Sequence, residues 1–299
     1  MADSLPNQSR GSVPPLVTVA MPVYNAGKYL RLAVLSIIRQ TFTNWEMLII
    51  DDGSTDTALQ DIADVDDTRI RIFRDGKNRG LAARLNEAAD MARGQYLARM
   101  DQDDVSYPER FERQIAAMQN DPKLDLVATR AITINENDQI TGLFPYAITH
   151  DEICAQPWRG FYLPHPSWMG RIEWFRKHRY TVPDPYFCED QELLLRSYRD
   201  SRFATLDEIQ FAYRIRSKIN WKKRVKTRSA FFRIQLRHFM EGYQWAILFM
   251  LVLTFLSRLA GDLLKFIGQS FFQDQPKVVP ASVLSQWRVV LCGLVEKQK

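Results

Sequence analysis

Three carboxylates fall within four residues at Asp101, Asp103 and Asp104, directly after a short apolar run over residues 96–100. That run reads as a buried strand. Like charges this close repel, and each needs water or a cation to stay ionised. A divalent metal answers the need, because Mg2+ or Mn2+ takes hard carboxylate oxygens together with the phosphate oxygens of a substrate. The competing reading is an acidic turn that caps the following helix. Ser106, Pro108 and Glu109 already spell a capping box there. The carboxylates are thus left for a cation and a diphosphate.

Other polar sets end apolar runs in the same way. Pro22, Val23, Tyr24 and Asn25 close a β-rich run that starts at Leu16. Asp51 and Asp52 close the run Met47-Leu48-Ile49-Ile50 and lead into Gly53-Ser54, where Asp-Gly is also an ordinary turn pair. Glu189 and Asp190 open an apparent helix near residues 188–199. Acids there are also favoured by the helix dipole alone. Arg84 lies in a helical stretch and offers a diphosphate contact or a surface charge. His165, between Pro164 and Pro166, offers an acceptor contact or a loop residue. Arg196 sits four residues after Glu192, the spacing of a plain helical ion pair.

The elements that must position these groups alternate. Strand, loop and helix recur about four times between residues 16 and 118, with a helical face at Leu30, Ala33, Val34, Ile37 and Ile38. A further helix is expected at 58–63, a strand at 69–73, helices at 80–93 and 107–118, and one or two strands at 124–134. Such alternation predicts an α/β fold with a mostly parallel central sheet flanked by helices. Ligands in such sheets sit at the carboxyl ends of the strands, so the polar sets are expected to converge on one crevice. No GxGxxG opens the first helix and no Walker A sequence is present, which argues against a dinucleotide fold. Residues 142–187 are rich in proline and aromatics and read as irregular, a place for a second substrate.

The chain is 46% hydrophobic, enough for a sizeable core, and 25% charged, as soluble proteins are. The net charge of +5 is local: ten Lys/Arg and no Asp/Glu lie between Arg214 and His238. Such a block seeks anions: membrane lipid, a phosphorylated substrate or nucleic acid. No nucleic-acid module accompanies it. An apolar stretch from Trp245 follows, interrupted at Ser257, Arg258, Gly261 and Asp262. Its uncharged run falls short of the roughly 20 residues of a spanning helix. It suits a helix lying on an anionic membrane surface, or one packed on the core or on another subunit. Cys154, Cys188 and Cys292 are odd in number and far apart, as in a reducing compartment. Residues 1–15 lack the apolar core of a signal peptide and read as a disordered tail. A cytoplasmic protein, peripheral at the inner face of the cell membrane, is expected.

Taken together, the sequence resembles a family 2 glycosyltransferase with the GT-A fold. The resemblance rests on Pro22-Val23-Tyr24-Asn25, Asp51-Asp52-Gly53-Ser54, Asn78-Arg79-Gly80-Leu81 continuing to Arg84 and Asn86, Asp101-Gln102-Asp103-Asp104, and Glu189-Asp190 with Arg196, in that order. It covers roughly residues 17–216 and implies a transferase domain over 16–218 with a basic, amphipathic helical extension over 219–299. It implies that Pro22 to Asn25 line a nucleotide pocket and that Asp51 and Asp52 serve nucleotide binding, Asp52 holding the base. Asp101 would contact ribose or metal, and Asp103 would hold Mg2+ or Mn2+ on the diphosphate. Asp190 would be the catalytic base, with Asp104, His165 and Glu189 as acceptor-side or supporting groups. The partners implied are a nucleotide-diphosphate sugar, most simply UDP-linked, and a glycan or lipid-linked acceptor in surface polysaccharide synthesis, with inversion at the sugar. The family often shows Tyr-Arg-x-His after its last core strand, whereas Tyr213-Arg214-Ile215-Arg216 has Arg in place of His. A nucleotidyltransferase and a non-catalytic sugar-nucleotide-binding scaffold are the rival readings.

Overall fold

The computed structural model describes residues 13–185, 187–215, 221–268 and 279–295. Most of the N-terminal tail, the boundary placed at 218/219 and Arg216 lie outside the described residues.

The first half alternates as its apolar pattern dictates. Strand β1 (Val17–Val23) leads through a 3-10 turn to helix α1 (Leu30–Ile38), then β2 (Trp45–Asp51), β3 (Ile70–Arg74), α2 (Leu81–Met91) and β4 (Tyr96–Arg99). Next come β5 (Val105–Ser106), α3 (Arg110–Asn120), β6 (Leu126–Ile134), β7 (Ile140–Leu143) and α4 (His150–Cys154). The second half adds β8 (Met169–Arg171), α5 (Ile172–Lys177), α6 (Glu189–Ser197), β9 (Phe203–Arg214), α7 (Trp221–Glu241), α8 (Trp245–Gly268) and α9 (Ala281–Val295). Strand β1 is buried at every residue, as a central strand covered on both faces must be. Its odd residues Val17, Val19 and Met21 pack with α1 and α3, while Ala20 faces α2 and α6. This two-residue period makes three layers, helix on sheet on helix.

The sheet runs β3-β2-β1-β4-β8-β6-β9-β5, with β7 paired to β6. Strands β3, β2, β1 and β4 are mutually parallel, as the alternation predicts. Beyond β4 the sheet is mixed: β8 runs antiparallel to both β4 and β6, and β9 returns parallel to β6. Strand β8 lies inside the stretch expected to be irregular. Three residues, one of them Gly170, are too few to show a strand period. The neighbours require that glycine: a Cβ there would lie 2.8 Å from the Asp125 carbonyl oxygen. The same stretch holds α4, which begins with a true capping box between Thr149 and Glu152.

Three local expectations change. Residues 58–63 form a single 3-10 turn, Gln60–Ile62, rather than a helix. Strand β1 runs through Pro22 to Val23 instead of stopping before the proline. The box expected at Ser106 and Glu109 is absent: Ser106 pairs with Phe211 in the sheet and accepts a hydrogen bond from Gln40 Nε2 at 3.1 Å. Glu109 is the N-cap of α3 without a capping bond, and its carboxylate reaches forward to Arg113 at 2.9 Å.

The C-terminal helices share the body's cores. Phe239 of α7 and Leu248 and Leu251 of α8 are buried with residues of α2, α5 and α6. Trp287, Val290 and Leu294 of α9 cover β5, β6 and β9. Helix α8 is continuous across the polar interruptions, so its apolar window, Trp245–Asp262, is long and apolar enough to cross a membrane by length and composition, contrary to the expected shortfall. Asp262 does not break it, because that carboxylate is buried and paired with Arg228 and Arg224 of α7. Only 17% of the window is buried inside the protein. Trp245, Phe249, Leu253 and Leu256 stay exposed.

Candidate active site

The carboxyl ends of β1, β2 and β4 open into one cleft of about 580 Å3. Pro22, Val23 and Tyr24 form one wall. Gln102 clamps Tyr24 from both sides: its Oε1 accepts from the Tyr24 amide at 2.7 Å and its Nε2 donates to the Tyr24 carbonyl at 3.0 Å. Asn25 sits behind that wall rather than on it. It adopts φ of 49° and accepts from the Thr55 amide at 2.8 Å, fixing the turn next to Ser54.

Asp52 forms the second wall and is nearly fully buried. Its carboxylate accepts from the Arg79 amide at 2.7 Å, the Gly80 amide at 3.0 Å and Arg84 Nε at 2.9 Å. Gly80 holds φ of 85°, which favours glycine and lets the chain bring both amides onto one carboxylate. Asp51 points away and accepts from the Ser54 amide at 2.9 Å, closing its own turn. Arg84 is not a cleft residue. It is buried, and Asp52, Asp75, Glu87 and the Lys77 carbonyl occupy its guanidinium. The expected diphosphate contact is therefore replaced by a supporting role: the arginine carries no uncommitted face.

Asp101, Asp103 and Asp104 form the floor. Asp101 pairs with buried Arg99 at 2.9 Å. Asp104 is almost wholly buried. Its Oδ1 accepts from the Arg214 amide at 2.7 Å, and its Oδ2 has no partner. Burial, with Asp101 and Asp103 close by, holds its carboxyl well above the usual range. Arg214 fastens this loop by donating from Nε to the Asp103 carbonyl at 2.7 Å and from Nη2 to Asp138 at 2.6 Å.

Glu189 faces this floor across the cleft, and Asp190 follows it in the first turn of α6. One ligand atom from each of His165, Glu189 and Asp190 lies within 4.8 Å of the others. Burial and Asp190 push Glu189 up to about 7, and burial also raises Asp190, whose Oδ2 accepts from Gln191 Nε2 at 3.2 Å. His165 is buried and held well below its ordinary pKa by desolvation and then Arg99, so it is neutral. Its Nε2 is 2.7 Å from the Tyr180 hydroxyl and its Nδ1 is 3.8 Å from Glu189. Tyr180 is anchored by Asn86 of α2 through two backbone bonds of 3.0 and 2.9 Å. Arg196 pairs with Glu192 at 2.8 Å, the plain reading of that spacing.

Sequence reasoning brought Pro22, Val23, Tyr24, Asp52, Asp101, Asp103, Asp104 and Glu189 to one cleft. It missed Gln102, Tyr213, Asp184 and Lys223, which also line it. Gln102 stands inside the acidic motif, but its role there, holding the Tyr24 backbone, depends on a contact 78 residues away. Cys188, beside the acids, is no rival nucleophile: burial and those acids push its thiol up to about 12, and it donates to the Pro185 carbonyl.

The arrangement suits a phosphate-bearing ligand held by a cation. Asp101 and Asp103 supply hard oxygens, and Mg2+ completes its shell with water and substrate phosphate rather than a full protein cage. The orphaned Asp104 Oδ2 below them adds uncompensated acceptor capacity in the same place. Glu189 lines the cleft, while Asp190 lies next to it in the first turn of α6 and is not part of the lining; a carboxyl raised toward neutral pH, as Glu189 is, suits a general base.

The chain resembles known proteins in sequence and in fold. The sequence profile described as Glycosyl transferase family 2 matches residues 18–179, more than half of the chain. An uncharacterized glycosyltransferase of Methanocaldococcus jannaschii is 28% identical over 256 residues, covering 81% of this chain and 88% of that relative. The Escherichia coli protein WfgD, a UDP-Glc:alpha-D-GlcNAc-diphosphoundecaprenol beta-1,3-glucosyltransferase, is 31% identical over 46% of this chain. The match spans 54% of its own length. The crystal structure of S. aureus TarS 1-349 in complex with UDP-GlcNAc superimposes with a TM-score of 0.62 at 18% identity, over 94% of this chain and 80% of that one. At that identity the likeness is one of fold.

Proposed function

We propose a reaction for this chain, which belongs to glycosyl transferase family 2 and is a glycosyltransferase: it moves a sugar from a nucleotide-diphosphate sugar, UDP-linked, to a hydroxyl of a lipid-linked glycan, with inversion. The observation that carries this reading is the meeting of Asp52, Asp101, Asp103 and Glu189 in one cleft, from three separate places in the chain: the end of β2, the loop after β4 and the start of α6. The names of WfgD and of the UDP-GlcNAc complex of TarS support the donor and the lipid-linked acceptor.

The roles follow from what the transition state needs. Charge builds on the leaving diphosphate, and Mg2+ or Mn2+ bound by Asp103 and Asp101 would supply Lewis-acid stabilisation there. Asp52, fixed by two amides and Arg84, holds the nucleotide base end, and the wall of Pro22, Val23 and Tyr24 excludes water beside it. Asp190 takes the proton from the acceptor hydroxyl, and Glu189 and His165 hold that side of the cleft. One base suffices for direct displacement with inversion, and the Cys188 thiol, held protonated, does not compete as a nucleophile. Transfer assays with a panel of UDP-, GDP- and dTDP-sugars test the reading. Nucleoside diphosphate is the expected product, whereas pyrophosphate would identify a nucleotidyltransferase and sink it.

Asp103→Ala is expected to remove the metal dependence of donor binding. Calorimetric titration of UDP with and without Mn2+ checks this, and an unchanged difference between the two titrations removes Asp103 from the metal.

We also assign the exposed side of α8, with the basic α7 beside it, to an anionic membrane surface at the cytoplasmic face. Deleting residues 219–299 would strip Phe239, Leu248 and Leu251 from a core, so substitutions give the cleaner test. Trp245→Asp with Phe249→Asp, both at exposed positions, is expected to release the protein from liposomes containing anionic lipid. Wild-type protein that fails to sediment with those liposomes ends the assignment.

A further inference from the structure

Between α6 and α7 lies a second hollow of about 700 Å3, larger than the cleft at the strand ends. Asp184 lines both, so the two spaces adjoin. Helix α6 connects them: Glu189 faces the cleft, while Glu192, Leu195 and Arg196 face the hollow. At about 1.5 Å per residue the hollow begins roughly 3 Å along the axis beyond Asp190, at Glu192, and extends for about one turn to Arg196. An acceptor whose hydroxyl reaches the acids at the start of α6 has this adjoining space open to its remainder.

The far wall is α7, with Arg233 and Arg237. These guanidiniums stand one turn apart, and both residues are exposed. Among the described residues neither makes an ion pair or a side-chain hydrogen bond. The other charges are accounted for differently. Glu192 and Arg196 neutralise each other, and Arg196 also donates to the Arg179 carbonyl at 2.7 Å. Asp184 already has a partner. Burial lowers the pKa of His238. Glu241, one turn past Arg237, makes no ion pair with it among the described residues. Two unpaired like charges at this spacing weaken a helix, and an anion bridging them reverses the sign. Guanidinium forks match phosphate oxygens two at a time. Helix α7 ends at Glu241 in the wall of this hollow, and α8 begins at Trp245 with Trp245 and Phe249 exposed.

We propose that this hollow is the acceptor site, and that Arg233 and Arg237 grip a phosphate or diphosphate joining the acceptor glycan to its carrier. The assignment rests on the transferase reading and names the acceptor's chemistry within it. The test is equilibrium binding of farnesyl diphosphate, with farnesol and inorganic pyrophosphate as controls. UDP at saturation blocks the first cleft. The wild-type chain is expected to bind farnesyl diphosphate but not farnesol. The variant R233Q/R237Q is expected to bind it at least about 100-fold more weakly, as follows from losing two charged hydrogen-bonding groups. UDP affinity in the same titrations verifies that the variant is folded. Pyrophosphate binding as tightly as farnesyl diphosphate, and equally lost in the variant, keeps the phosphate grip and assigns it to a soluble phosphorylated acceptor. No binding by the wild-type chain, or equal binding by the variant, overturns the proposal. Release of UDP from donor sugars is measured separately; its absence would end the transferase reading without altering the binding result.

Discussion

Asp190→Asn is expected to keep the donor affinity of the wild-type chain and to lose about 10²- to 10⁴-fold in transfer rate, the usual worth of a positioned general base. The side chain is isosteric and its neighbour Gln191 can still hydrogen bond to it, so the loss reports proton removal rather than folding. Donor titration and transfer assay on the same preparation separate the two. Transfer at the wild-type rate would take the base away from Asp190. The pH profile adds a second reading. A base works ionised, so transfer falls as pH drops through the apparent pKa of the Glu189–Asp190 pair. Burial raises both members, and Glu189 stands at about 7. Glu189→Gln removes a neighbouring negative charge, so Asp190 ionises more easily and the acidic limb moves to lower pH. An acidic limb that stays in place in E189Q would show that Glu189 does not influence the base.

Asp52, Asp101, Asp103 and Asp104 were legible because each follows closely on a buried strand. A run such as Met47-Leu48-Ile49-Ile50 can only be central, and whatever follows it lands at the sheet's carboxyl edge. The antiparallel half was hidden for the opposite reason. Strand β8 is three residues long and contains Gly170, so no period announces it. Its place between β4 and β6 comes from partners more than 40 residues away. The capping box at Ser106 and Glu109 failed through competition: pairing with β9 took the backbone, and Gln40 and Arg113 took the side chains. Helix α8 looked interrupted because Asp262 reads as a charge in sequence. In the fold, arginines of α7 neutralise it. The hollow between α6 and α7 had no sequence signal at all, since Arg233 and Arg237 stood in a block read only for its net charge.

Arg84 gives the largest expected effect on stability. It is fully buried at the end of four links, to Asp52, Asp75, Glu87 and the Lys77 carbonyl. Removing it leaves Asp52 as a buried carboxylate whose charged partner is gone. Breaking a buried pair from one side costs about 3–5 kcal/mol, and Arg84→Ala is expected to lose that much in urea denaturation. Arg84→Lys retains the charge but has no planar fork to meet three acids at once, so it should fall between the two. Because Asp52 also forms a wall of the cleft, both variants should weaken UDP binding as well, R84A more. The pH dependence has a definite sign. Arg84 holds the Asp75 carboxyl down to about 2. A depressed acid stabilises the fold above its unfolded pKa near 3.9 and loses that contribution as pH falls toward 2. The gap between wild type and R84A should therefore be full at neutral pH and narrow below about pH 4. A gap that stays constant to pH 3 would show that Asp75 contributes nothing through Arg84. A wild-type urea midpoint for R84A at pH 7 would show that the buried cluster does not hold this side of the cleft.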